Sequence, residues 1–230
     1  MNKVTVVIAT HNPVKEWLQQ TLDSCRGVDS LIICDDHSKE LVLSDYSYPT
    51  ADVRMLYNER QLGCFQTYNR LCKEVKEGFI SAQADDDYFD EKNFPAIIEV
   101  LRKTKADVVH FPCQYFGKYN FVFGYCPNPI YKVLYNANDI YGASFFRKEL
   151  WDFLGGFQLE AAADWDFWLR AVKSGAKFEF FRSVGAHFRV TERSMFEGQL
   201  KKLGREEINK IVRGNADKWN GSYERKTIDV

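Results

Sequence analysis

Val4 to Ala9 is an almost unbroken apolar run that stops abruptly at the polar triplet Thr10-His11-Asn12. A strand of this composition has no polar face to offer water, so it belongs in a sheet covered on both sides, the setting of parallel strands joined by helical crossovers. The pattern recurs. Trp17, Leu18, Thr21, Leu22 and Cys25 follow at helical spacing, with Asn12 as cap and Pro13 at the first helical position, and Gly27 ends the segment. Leu31–Cys34, Val53–Tyr57 and Phe79–Ala84 read as further strands, with a helix over Phe65–Val75 closed near Gly78. Such alternation predicts an α/β fold with a mainly parallel, Rossmann-like sheet flanked by helices.

Beyond the acidic cluster at Asp85, the pattern gives a helix over Phe94–Arg102 and one buried strand over Asp107–Cys113. From Gln114 to Asn138 the chain is rich in Tyr, Phe, Asn, Pro and Gly without helical period, which reads as irregular hairpins or a mobile loop. A strand near Ala143–Phe146, a short helix over Lys148–Leu154, the Gly155-Gly156 turn and a helix starting at Asp164 come next. Phe178–Phe181 and Ala186–Val190 are strand-like, and Phe196–Trp219 is mostly helical. A chain of 230 residues with this make-up is expected to form one domain.

Thirty-one Lys and Arg against 32 Asp and Glu leave a net charge of −1, so no overall field attracts nucleic acid. The stretch Lys201–Lys218 is locally basic, which fits a solvated helix face or a peripheral contact with an anionic membrane. Cys25, Cys34, Cys64, Cys72, Cys113 and Cys126 form no CxxC pair and sit mostly among apolar neighbours, as free thiols of a reducing compartment do. The N-terminus runs straight into a strand and no stretch approaches the roughly 18 apolar residues of a spanning helix, so the expected location is the cytoplasm.

Chemistry is expected where the strands end. In open α/β sheets ligands bind outside the carboxyl ends of the strands, near the point where strand order reverses. The strands here end at Thr10-His11-Asn12, at Asp35-Asp36-His37-Ser38 and at Asp85-Asp86-Asp87. Three consecutive acids after a buried strand repel one another unless a cation or hydrogen-bond donors compensate them. Hard oxygen ligands suit Mg²⁺ or Mn²⁺ bridging carboxylates and phosphates, while a helix cap or a solvated turn is the simpler alternative. Asp35-Asp36 either caps a turn or presents a carboxylate to a nucleobase imide or a ribose hydroxyl. Asn58 and Gly63, in NERQLG, bend the chain into the next helix beside that position.

Taken in order, VVIATHN, ICDDHS, NERQLG, ADDDYF, GASFFRKELWDFLGGF, DWDFWLR and FRVTERSM resemble the family 2 inverting glycosyltransferases with the GT-A fold. The resemblance implies a nucleotide-binding half over residues 1–113, an acceptor and catalytic half with a smaller antiparallel portion over 114–195, and a helical tail over 196–230. It implies that Thr10, Asn12, Asp35, Asp36, Asn58, Gly63 and Asp85 hold the nucleoside, with Asp36 facing the base. Asp86 and Asp87 fall on the metal-proximal acids of the DxD-type element. Asp164 falls on the catalytic base, with Trp165, Asp166 and Trp151 read toward the acceptor and sugar side. Trp151, Trp165, Phe157 and Tyr141 are candidate walls of the sugar subsites, with core packing as the commoner role of any one aromatic residue.

The activity implied by the resemblance is that of a metal-dependent transferase, with Mn²⁺ or Mg²⁺. It would carry the sugar of a nucleotide sugar, UDP preferred, to a saccharide or lipid-linked glycan in bacterial surface polysaccharide synthesis. Two positions depart from the family pattern. Ala163 stands where the family usually has Glu, and Thr191 where its tail carries a histidine ligand, with His187 four residues earlier as a substitute. A metal-dependent phosphohydrolase and a pseudo-glycosyltransferase that binds without transferring are the rival readings. Neither CDDHS nor ADDDY supplies an aspartyl-phosphatase nucleophile loop.

Overall fold

The computed structural model describes residues 1–192, Ser194, Gly198 and residues 201–224. Its centre is β1 (Val4–Thr10), buried along its whole length and paired in parallel with β2 (Ser30–Asp35) on one side and β4 (Phe79–Ala84) on the other. β3 (Val53–Tyr57) extends the sheet beyond β2. The chain therefore steps outward from β1 to β3, then crosses back to β4, which makes the gap between β1 and β4 the switch point of the sheet.

Alternation along β1 divides the core. Val7 and Ala9 face a cluster built with α2 (Cys64–Glu74), α5 (Lys148–Leu154), α6 (Ala163–Lys173) and α7 (Arg205–Lys218). Val6 and Ile8 face the other cluster, with α1 (Lys15–Ser24) and α3 (Phe94–Lys103). Helix α1 begins two residues later than the Asn12 cap would set it. Asn12 has φ +47°, and its side chain accepts from the Lys39 N–H instead of capping.

The second half departs further from the pattern. The strand expected over Asp107–Cys113 is two strands in two sheets, β6 (Val108–His110) and β7 (Cys113–Gly117). Pro112, which has no N–H for a ladder, marks the break. β9 (Phe145–Arg147) lies antiparallel between β6 and β4, so among the described residues the main sheet has seven strands in the order β10-β6-β9-β4-β1-β2-β3, with β10 at Phe178–Phe180. A smaller sheet runs β5 (Tyr88–Phe89), β11 (Ala186–Val190), β7, β8 (Phe121–Phe123). The segment read as irregular, 114–138, thus holds most of a hairpin, and the short α4 (Tyr131–Leu134) besides. Of the helix expected from Phe196, residues 196–197 and 199–200 lie outside the described residues, and α7 accounts for Arg205 onward.

Helix α6 is anchored by a buried ion pair. Arg170 and Asp166 are both fully buried, and Nε and Nη2 of Arg170 donate to Asp166 Oδ2 at 2.9 and 2.7 Å. The rest of the guanidinium donates to the carbonyls of Leu154 and Gly156, and Asn215 on α7 donates to Asp166 Oδ1. A buried pair of this kind is tolerable because nearly every donor is used. Asp166→Ala would strand the Arg170 charge, and we expect a loss of about 3–5 kcal/mol in urea unfolding, against about 1 kcal/mol for Asn215→Ala.

Candidate active site

The polar ends of β1, β2 and β4 lie side by side at one edge of the sheet. Across the switch point, Thr10 Oγ1 donates to Asp85 Oδ2 at 2.6 Å. The loops after β1 and β2 are stitched together as well: Asn12 N–H donates to Ser38 Oγ, and a ring nitrogen of His11 meets the Asp36 carbonyl. Asp35 Oδ1 accepts from the Ser38 N–H at 2.9 Å, closing the turn.

Asp36 is buried, and the chain itself surrounds it with donors. Oδ1 accepts from Asn58 Nδ2 at 2.6 Å and from the Leu62 N–H at 2.8 Å, and Oδ2 from the Gly63 N–H at 2.8 Å. Burial pushes this carboxyl upward, but the hydrogen bonds from Leu62, Asn58 and Gly63 prevail and hold it below the usual carboxylate value. Asn58 is fixed in turn by Thr67 and Arg70. Here Asp36 organises the NERQLG turn, a role the reading of a carboxylate facing a nucleobase did not include.

The turn delivers Gly63, with φ +91°, to the N-terminus of α2. Cys64 opens that helix, and burial together with the charges of Asp85, Asp36 and Asp86 pushes its thiol up to about 12. The end of β1 reaches both acidic clusters, Thr10 bonding Asp85 and His11 meeting the Asp36 carbonyl.

Within the triplet the three acids have different surroundings. Asp87 is buried, its Oδ1 accepting from the Arg189 N–H at 2.7 Å and its Oδ2 from the Tyr141 hydroxyl at 3.2 Å. Burial and then the charge of Asp86 push its carboxyl well above the usual value, against those two donors. Asp86 is half-buried, and its carbonyl accepts from Arg189 Nε at 3.0 Å. The Arg189 guanidinium also lies over the rings of Trp17 and Phe116, at 4.6 and 4.7 Å from their centroids.

Asp164 sits in the first turn of α6, where the helix dipole favours a carboxylate. Its Oδ2 accepts from Asn138 Nδ2 at 3.1 Å and lies 3.3 Å from where a Cβ on Gly142 would stand. Burial, the largest influence, raises its proton affinity against donors from Trp165, Asn138 and its own N–H. The helix entry is strained, because Ala162, the N-cap, is left-handed at φ +49°. Tyr141 donates to Asp87 through its hydroxyl, and the next residue, Gly142, leaves open the space where a Cβ would stand 3.3 Å from Asp164 Oδ2, so consecutive residues of one segment face the acidic triplet and the expected base. Tyr115 is half-buried, and burial first, then Cys113, Asp164 and Asp87 push its phenol upward.

Other expected residues lie elsewhere. Trp151 and Trp165 are core residues, the latter donating from Nε1 to the Leu134 carbonyl at 2.6 Å, and Asp166 is spent on Arg170, so all three serve the core instead of a sugar subsite. Phe157 is core too. His187 stacks on Tyr88 and pairs through Nε2 with Asp90 Oδ2 at 2.9 Å. Its ladder neighbour Ala186 is matched with buried Phe89, so the imidazole projects from the opposite face of that ribbon. Among the described residues no three His, Cys, Asp or Glu side chains converge as a ready ligand set. A cavity of about 450 Å³ between Tyr135 and α7 is remote from these acids, lined by residues such as Glu206, Lys210 and Arg213. Arg189 and Asn138 escaped the sequence reading. Only the presence of Arg189 within FRVTERSM pointed toward it.

Residues 5–158 match the family profile described as glycosyl transferase family 2. The chain belongs to that family. The profile match ends six residues short of Asp164. Among solved structures, S. aureus TarS 1-349 in complex with UDP-GlcNAc is similar with a TM-score of 0.71 at 14% identity, over 85% of this chain and 60% of that one. TarS 1-349 in complex with UDP gives 0.68 at 13% identity, over 94% and 68%. S. aureus TarS itself gives 0.68 at 15%, over 85% and 38%, so the chain spans well under half of that longer one. At such identity the likeness is one of fold, the α/β GT-A architecture. Comparison with curated proteins gives no match.

The carboxyl of Asp36 is held down in the folded state, so its contribution to stability is complete above the unfolded value of ~3.9 and disappears as pH falls through the lower folded value. Asp36→Asn, which sets an amide against backbone donors, is expected to cost about 1.5–3 kcal/mol at pH 7 in urea unfolding, with the gap to the parent closing in acid.

Proposed function

We propose that this chain is a glycosyltransferase that moves a sugar from a nucleoside diphosphate, UDP by preference, to a hydroxyl of a saccharide or lipid-linked glycan, with inversion, and that Asp164 is the base. The observation that supports this reading is that two consecutive residues, Tyr141 and Gly142, face Asp87 and Asp164. An acceptor hydroxyl beside Asp164 would then face a donor held over the triplet.

The burial that raises the proton affinity of Asp164 makes it a better acceptor for that hydroxyl proton, while the α6 N-terminus keeps the charged form accessible. As the proton moves to Asp164, the acceptor oxygen attacks the anomeric carbon from the face opposite the diphosphate. Thr10, Asp35 and the turn that Asp36 organises around Asn58 and Gly63 form the nucleoside side, with Asn12 and Asp85 joining the two loops.

Asp87, pushed up by burial and by the neighbouring Asp86, marks a cluster short of positive charge, and oxygen donors suit Mg²⁺ or Mn²⁺. Asp86 and Asp87 would hold such an ion and leave its remaining positions to phosphate and water, with His187 left to Asp90. When bound, the ion would supply neutralisation of charge on the departing diphosphate. No helix of the described residues is long and apolar enough to cross a membrane. Work at the cytoplasmic face in surface polysaccharide assembly, with α7 near the lipid, is part of this proposal.

A thermal-shift series with UDP, GDP and dTDP, with and without Mn²⁺, tests the donor side: the melting temperature should rise with UDP, more so with Mn²⁺, and the Mn²⁺ increment should vanish with EDTA present. Asp164→Asn should lower transfer at least ~10³-fold while preserving the UDP shift. Release of free phosphate from phosphorylated substrates, or binding with no transfer by the parent protein, would replace this reading by hydrolysis or by a binding-only role.

A further inference from the structure

Asn138 stands at the end of the segment read as irregular, yet its amide reaches the carboxylate at the head of α6. Two bonds fix that amide. Its Oδ1 accepts from the Ile140 N–H at 3.2 Å, which leaves Nδ2 turned to Asp164 Oδ2 at 3.1 Å. The side chain therefore offers a donor to the carboxylate.

The segment that carries Asn138 is in turn fastened from the C-terminal side. On α4, the Leu134 carbonyl accepts from Trp165 Nε1 of α6, the residue next to Asp164. The hydroxyls of Tyr131 and Tyr135 both donate to Asp217 of α7, at 2.8 and 2.9 Å, and Arg213 Nε donates to the Tyr135 carbonyl at 2.8 Å. Lys173 at the end of α6 donates to the carbonyls of Ala216 and Asp217, so α4, α6 and α7 form a closed triangle.

We propose that Asn138 is a positioning residue for Asp164, directing its carboxylate and favouring its charged form, and that the Asp217 clamp on α7 holds Asn138 in register. The proposal deepens the reading of Asp164 as base and rests on it for its meaning in catalysis. The titratable groups that face Asp164 are Asp166, neutralised by Arg170, and the phenol of Tyr115 from β7, alongside the donors already named. Asn138 is the neutral side chain among them that a substitution can remove without opening the core, because it is half-buried.

The test reads Asp164 directly in the ligand-free full chain. With ¹³C-labelled aspartate, the Asp164 carboxyl resonance is assigned by its absence from Asp164→Asn and titrated in each variant. Asn138→Ala should raise its midpoint by about one pH unit or more, the worth of a hydrogen bond to a charged group. Asn138→Asp should raise it further, by setting a second negative charge alongside. Tyr131→Phe combined with Tyr135→Phe should move it in the same direction by less, and Asn136→Ala, at an exposed neighbour, should leave it in place. A titration unchanged in both Asn138 variants overturns the positioning role, and one unchanged in the tyrosine pair overturns the clamp. Either result is separate from the fate of the base: if Asp164→Asn retains turnover, the base assignment fails even where the midpoints move.

Discussion

The mutual repulsion of carboxylates at the ends of β2 and β4 is the constraint around which this end of the molecule is arranged. Left to water, Asp35, Asp36, Asp85, Asp86 and Asp87 would separate. The fold instead meets each approach with a donor of its own: Thr10 for Asp85, the Leu62 and Gly63 amides for Asp36, and the Arg189 amide with the Tyr141 hydroxyl for Asp87. These donors come from both halves of the chain, and the two that satisfy Asp87 come from the second. The compensation is incomplete at Asp87, whose carboxyl stays well above the usual value because burial and the charge of Asp86 outweigh its two donors.

Much of the first half was legible because burial on both faces writes itself into composition. Val4–Ala9 could only be a covered strand, and the pairing of β1 with β2 and β4 follows from adjacent apolar runs separated by helical segments. The acidic triplet was legible for the same reason, a polar cluster set where the apolar run stops. What the pattern could not supply was the direction of β9, since a three-residue strand buried on both sides looks alike parallel or antiparallel. Nor could it show that Pro112 sends the chain into a second sheet, because the apolar residues continue on both sides of it.

The site residues divide in the same way. Asp164 was visible through the resemblance of DWDFWLR, and the structure shows the consecutive residues Tyr141 and Gly142 facing Asp87 and Asp164. Trp151 and Trp165 were weighed as sugar-subsite walls against core packing, the commoner role of a large aromatic, and both lie in the core, as does Asp166. Asn138 had no local signal, lying in a stretch without period, and Arg189 had only its place within FRVTERSM; the meaning of each arises from partners 26 and 102 residues away.

The placement of β9 also bears on how the chain assembles during synthesis. Strands β1 to β4 are complete once residue 84 has emerged, although β1 and β4 pair residues about 75 apart, as Val4 with Phe79. The outer edge of β4, however, finds its partner only when Phe145–Arg147 arrives. In between, a nascent half-domain carries an open, apolar strand edge for roughly sixty residues of elongation, the kind of surface that recruits chaperones or a second nascent chain.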